Sequence, residues 1–252
     1  MRLTRLTPVH GSYNLQAQPP ASRDRVTQPD GPNFSGPDEL VTIVVGEESK
    51  SFIIHKEVAS YSPVLKAAFD SDFLEGQTQT YNLEEASIEA FQLVTQWLYR
   101  QAINPVFTAD EFDSLNTLPI NTILPDTAQQ KIVARQTHLI EAYEIGDYLQ
   151  LPRLQNLMLD ELEGLRVRWR TISVVSLYDL YERPSQGYGL RELVFEQCRY
   201  FIDREFFTVE NKGMFPKEFL LDCVRADRNI HSQVDPFTDK DEFRRRFHVP
   251  EE

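Results

Sequence analysis

The stretch that decides the fold runs from Leu40 to Arg100: LVTIVVGEESKSFIIHKEVASYSPVLKAAFDSDFLEGQTQTYNLEEASIEAFQLVTQWLYR. It opens on the β-branched run Leu40-Val41-Thr42-Ile43-Val44-Val45, which suits a pleated, half-buried strand. The five residues Gly46 to Lys50 form a turn, and Ser51 to Ile54 make a second strand that breaks at His55-Lys56. Ser62-Pro63 then supplies an N-cap hydroxyl and a proline whose fixed φ suits the first helical position. Val64, Leu65, Ala68 and Phe69 follow at helical spacing. A third short strand is predicted over Thr80 to Leu83. Ser87 caps a further helix, with Phe91, Val94 and Leu98 on one face and Trp97 beside them.

Upstream, residues 1–37 are rich in Pro, Gln, Ser and Gly, and such a segment buries too little to offset its ordering entropy. A disordered N-terminal tail is therefore expected. Downstream, residues 104–134 contain Pro105, Pro119 and Pro125 and keep no sustained apolar period. They are expected to form a surface loop insertion, with a short helix near Asp110 to Leu115. Helical periodicity returns at Thr137 through Leu139, Ala142 and Tyr143, and Gly146 in that helix points to a close helix–helix approach. Pro152 opens the next helix, with Leu154, Leu157, Met158, Leu162 and Leu165 as its stripe. One α+β domain is thus expected over 38–165.

Three more stripes suggest a C-terminal helical extension over 166–231: Val174, Leu177, Tyr178 and Tyr181; Leu190, Leu193, Val194, Cys198 and Phe201; and Phe219, Leu220, Cys223 and Val224. These helices are expected to dock on the first domain, because their apolar faces are too wide to stay wet. Residues 232–252 read as a polar tail.

A net charge of −13 opposes nonspecific binding to nucleic acid or anionic membranes, whose phosphates need the opposite sign. The acid is unevenly spread, since residues 1–37 carry four arginines against two aspartates. Two cysteines fall far short of a secreted disulfide scaffold, which points to a reducing compartment, cytoplasmic or nuclear. No apolar run approaches the roughly 20 residues of a spanning helix, and Leu3, Leu6 and Val9 are too interrupted for a signal-peptide core.

The same residues carry a family likeness. Leu40 to Arg100, above all His55-Lys56, Ser62-Pro63, Phe69 and Trp97-Leu98-Tyr99, resembles the BTB/POZ domain, particularly the form common in fungal proteins. His138 to Leu162 (HLIEAYEIGDYLQLPRLQNLMLDEL) resembles that family's following helix pair. The resemblance implies an α+β fold, a small sheet covered by helical hairpins, followed here by additional helices. It implies protein–protein interaction, as scaffold or adaptor, without enzymatic activity or cofactor. Many members form homodimers, and a subset recruit a cullin scaffold to build a ubiquitin ligase.

Cullin-recruiting members carry an apolar residue, any residue, then Glu after the Ser-Pro helix, and Phe73-Leu74-Glu75 occupies that place. An exposed aromatic can fill a pocket as an anchor while Glu75 offers charge-assisted hydrogen bonds at its rim. The bland alternative is a loop whose Phe73 covers the core edge and whose Glu75 is merely solvated. Many animal members have Asp, associated with the dimer interface, where this chain has Leu40; an apolar residue there could support an edge contact instead.

Other constellations carry less. His55 sits at a strand-to-helix junction, where an imidazole satisfies backbone groups. His10, His138, His231 and His248 have no ligand spacing to one another or to Cys198 and Cys223, so no metal site is expected. Both cysteines lie on apolar helix faces without a basic partner, and no catalytic residue is expected. Glu84-Glu85 and Asp160-Glu161 are adjacent, and adjacent helix residues do not face each other. Arg166-Val167-Arg168-Trp169-Arg170 is the one basic–aromatic cluster; it reads either as an acidic-ligand contact or as a connector plugged by Trp169. Neither GxGxxG nor a Walker pattern occurs.

Overall fold

A computed structural model describes residues 32, 34–118, 122–174, 176–182, 188–202, 204–208, 210–227 and 236–251. The expected disordered tail lies outside these residues except for its last few positions. The fold is α+β: a three-stranded sheet with helices over it, followed by further helices.

Strand β1 (Leu40–Val45) is central, in the order β2-β1-β3, with β2 (Lys50–His55) antiparallel and β3 (Thr80–Leu83) parallel to it. Val41, Ile43 and Val45 alternate inward and are fully buried. The turn is one residue shorter than expected, because Lys50 already pairs with Val45. Gly46 takes φ +72°, a conformation that side chains rarely adopt, and its N–H donates to the Leu83 carbonyl to tie the turn to β3.

Helix α1 (Lys56–Ala59) follows β2 directly. In α2 (Pro63–Phe69) the Ser62 hydroxyl accepts from the Leu65 N–H and donates to the Leu149 carbonyl at 2.7 Å. One side chain thus caps a helix and ties it to the end of another 87 residues on. Helix α3 (Leu74–Thr78) and β3 lead to α4 (Ile88–Arg100), capped by Ser87 as anticipated, with Phe91, Val94 and Leu98 buried.

Residues 104–134 contain the short helix expected near Asp110 to Leu115 but depart from a loop beyond it. Helix α5 (Ala109–Asn116) begins at Thr108 with a full capping box to Glu111. Helix α6 (Asp126–Tyr148) starts eleven residues before Thr137. Phe107, Ala128 and Ile132 form a small core of their own, closed by Leu115, Leu124 and Trp169. The period was hidden because the buried stripe alternates with polar residues: Gln129 donates to the Leu124 carbonyl and Gln136 to the Thr171 hydroxyl, so both are buried yet hydrogen-bonded.

Helix α7 (Pro152–Trp169) packs antiparallel-hairpin fashion on α6. A Cβ on Gly146 would meet Gln155 Cγ at 3.1 Å and Leu154 Cδ2 at 3.3 Å, the close approach anticipated for it. Three further helices, α8 (Leu177–Glu182), α9 (Tyr188–Phe201) and α10 (Lys217–Asp227), bring Leu177, Leu190, Leu193, Cys198 and Phe219 into the same continuous core. Docking is incomplete on α10, where Leu220 and Val224 of the expected stripe stay exposed beside Leu221.

The polar tail is the second departure. Within it, α11 (Lys240–Phe247) is capped by Asp239, and Phe243 and Phe247 are buried. Six charged residues in eight mask two aromatics spaced one turn apart, which is enough to seat one helical face.

Candidate functional site

Phe73 and Leu74 are the most exposed large apolar side chains of the segment between α2 and β3, at 77% and 70%. The turn that carries them is closed mainly by polar side chains bonded to main-chain groups. Lys56 bridges Asp70 at 2.9 Å and caps the Phe69 carbonyl at the end of α2. The Ser71 hydroxyl donates to the Ala68 carbonyl and accepts from the Phe73 N–H. Gln77 reaches back to the Asp72 carbonyl, and its own N–H closes the first turn of α3 on the Phe73 carbonyl. Gln79, at φ +50°, ends the helix and donates its side-chain amide to the carbonyls of Phe69 and Gly76. A Cβ on Gly76 would lie 1.8 Å from the Ser71 carbonyl oxygen, so only glycine lets this turn close. Two apolar side chains are therefore presented to solvent from a closed, hydrogen-bonded turn, which lowers the ordering cost of binding.

Beside the turn lies an open groove of about 430 Å³, lined by Leu74, Glu75, Thr78, Thr80, Tyr81, Asn82 and Tyr148. The hydroxyls of Tyr81 and Tyr148 meet at 2.9 Å across it. Tyr81's hydroxyl is pushed well above the ordinary phenol range, first by burial and then by its bond to Tyr148, with the Glu75 charge adding to it. It is a neutral hydrogen-bonding group at any physiological pH. Glu75 is half-buried on this wall, while Phe73 stands outside the groove. Sequence reasoning found the Phe73-Leu74-Glu75 triplet but missed Gly76, Tyr81 and Tyr148. The glycine was legible in principle; the tyrosine pair comes from elements 67 residues apart and was not.

Leu40 is 48% exposed and pairs with His55, while β3 begins only opposite Thr42. The first two residues of β1 thus extend beyond β3, and Leu40 does not line the groove. His55 donates its backbone N–H to the Tyr99 hydroxyl and holds the same hydroxyl through Nδ1 at 2.8 Å. Phe34 rests edge-on against its ring, 5.0 Å between centroids. The junction is satisfied, but by Tyr99 rather than by the imidazole.

Residues 39–119 match the BTB/POZ domain. A BTB/POZ domain is a protein–protein interaction module, and the matched residues carry all of the groove lining except Tyr148. The match takes in the sheet, α1 to α5 and the whole Phe73–Glu75 turn, and it stops before α6. No curated protein matches the chain.

The remaining candidates are engaged internally. Arg166 pairs with Glu163 and stacks at 3.8 Å over Phe201. Arg168 lies over Phe112 and hydrogen-bonds Asn116. Trp169 meets Phe107 and Phe112 edge-on and touches both apolar cores. It plugs the joint between the main core and the small core of the 104–134 region. Cys198 is fully buried, and burial pushes its thiol far above the range where a thiolate forms. Among the described residues, no three His, Cys, Asp or Glu side chains gather to hold a metal ion, and no helix is long and apolar enough to cross a membrane.

Proposed function

We propose that the chain is a non-enzymatic adaptor or scaffold that binds a protein partner through the Phe73-Leu74-Glu75 turn of its BTB/POZ block. One observation carries the reading: two large apolar side chains are held out to water by a rigid turn on the rim of a groove. An apolar anchor, a half-buried carboxylate and a pair of tyrosine hydroxyls together suit a partner with an apolar pocket flanked by hydrogen-bond donors. A cullin scaffold is the partner that the resemblance of this triplet suggests, which would make the chain a substrate adaptor of a ubiquitin ligase. In that reading, 38–165 is the recruiting domain and the C-terminal helices stand in for the substrate receptor.

The test is binding of purified cullin scaffold to the wild-type chain and to Phe73→Ala and Glu75→Ala. Truncating a central anchor costs about 2 kcal/mol or more, roughly thirty-fold in affinity. Phe73→Ala is expected to abolish retention and Glu75→Ala to weaken it less, both with unchanged melting temperature. Retention indifferent to both substitutions rejects the site, and absence of binding by the wild type rejects the cullin.

A homodimer is the second reading, favoured by the half-exposed Leu40 on a strand end that runs past its neighbour. Light scattering at micromolar concentration distinguishes it, with a monomer mass rejecting it.

A further inference from the structure

The residues that hold the C-terminal segment do so as a receptor holds a peptide. Asn156 on α7 donates its side-chain amide to the Val249 carbonyl at 3.0 Å, while its oxygen accepts the Val249 N–H at 2.8 Å. That is two-point reading of an extended backbone, available to any non-proline residue at that position. The same amide donates to Glu251, which Arg153 also meets at 3.3 Å. One turn further along α7, Asp160 holds His248. From α9, Glu192 accepts from Arg246 Nε and Glu196 accepts from its Nη2. Glu196 is 4% exposed and also pairs with Arg199, so it is a built, buried acceptor and not a chance surface contact. The floor is shaped for close approach: a Cβ on Gly189 would stand 2.2 Å from the Phe247 carbonyl oxygen.

The segment brings its own organisation to this face. Asp239 caps α11, Glu242 pairs with Arg245, and the rings of Phe237, Phe243 and Phe247 pack on one another at 5.0 to 6.4 Å. Within the segment, therefore, shape is set locally, and recognition is left to side chains of α7 and α9.

We infer that the α7–α9 face is a peptide-binding groove and that residues 236–251 are its occupant in cis, an exchangeable strap whose Phe243 and Phe247 cover this end of the main core. The groove reads a pattern: two aromatics one turn apart, an arginine just before the second, then an extended residue and a carboxylate two positions on. The same segment supplied in trans satisfies every one of these contacts. This reading is independent of the Phe73–Glu75 turn, which lies on other elements.

The experiment inserts a protease site within 228–235 of the full chain and follows uptake of a labelled peptide of residues 236–252 by fluorescence anisotropy. After cleavage the body is expected to take up the peptide, while the uncut chain takes it up at least tenfold less because its groove is filled. Gly189→Ala in the body should abolish uptake. A peptide with Val249→Pro should bind about tenfold more weakly, because the N–H that Asn156 accepts is gone and the amide is left half-satisfied. That second variant leaves the protein untouched, so misfolding of Gly189→Ala cannot imitate the result. Uptake unaffected by Val249→Pro, equal uptake by cut and uncut chains, or loss of cooperative melting when the fragment leaves would each overturn the inference.

Discussion

Phe73, between Asp72 and Leu74, and Phe247, between Arg246 and His248, each stand at an end of a short helix, yet one is 77% exposed and the other 1%. The difference lies in what faces them. Phe247 has a glycine under its carbonyl, two rings of its own segment beside it and the apolar stripe of α9 below. Phe73 has a turn closed by side-chain and main-chain hydrogen bonds that leaves its own side chain exposed. An aromatic residue in a polar context is thus no evidence of exposure or of burial until its opposite face is known. The part that matches the BTB/POZ domain holds an aromatic out; the C-terminal region uses a segment to cover its own.

The comparison is broken most readily at Phe247. Phe→Ala at a buried site costs about 3–5 kcal/mol. Because α11 is held as a unit, that loss is expected as local opening before global unfolding. Amide hydrogen exchange over 240–247 should accelerate at least a hundred-fold in Phe247→Ala, with β1 and α4 unaffected. Equal acceleration across both regions would mean that the strap and the BTB/POZ block unfold together.

The second test sharpens the other side. Ser62 joins the start of α2 to the end of α6 through a buried hydroxyl. Ser62→Ala removes an N-cap and leaves the Leu149 carbonyl without that donor, a combined cost of about 2 kcal/mol. A lower urea midpoint with unchanged slope is expected. A shift under about 0.5 kcal/mol would place Ser62 among ordinary surface substitutions and make the tie between α2 and α6 dispensable.

What could be read from the sequence follows the same divide. The strands, both Ser caps and the α4 stripe were legible because local propensity, capping and period agree there. Helix α6 reads eleven residues short because Gln129 and Gln136 sit on its buried side, and the partner that satisfies Gln136 lies 35 residues on. Helix α11 was taken for tail because charge dominates its composition, while its burial depends on Gly189, Asn156 and Glu196 from two other helices. At the candidate site the triplet was visible, but the groove wall joins β3 to the end of α6, a pairing with no local signal.

The smallest effect is the most telling for the proposed site. Phe73 and Leu74 donate and accept nothing through their side chains, and both lie on α3 or its cap, where no residue is buried. Removing them exposes no cavity and orphans no polar group, since the turn is closed by Ser71, Gln77, Gln79 and the carbonyls they meet. The double variant Phe73→Ala, Leu74→Ala should therefore unfold within about 0.5 kcal/mol of the wild type, measured by urea titration. Alanine at 74 even favours the helix slightly. A loss of 2 kcal/mol or more would mean that these side chains cover the core edge in solution. The partner-binding reading would then lose its single supporting observation, because an anchor that is already buried has nothing left to insert.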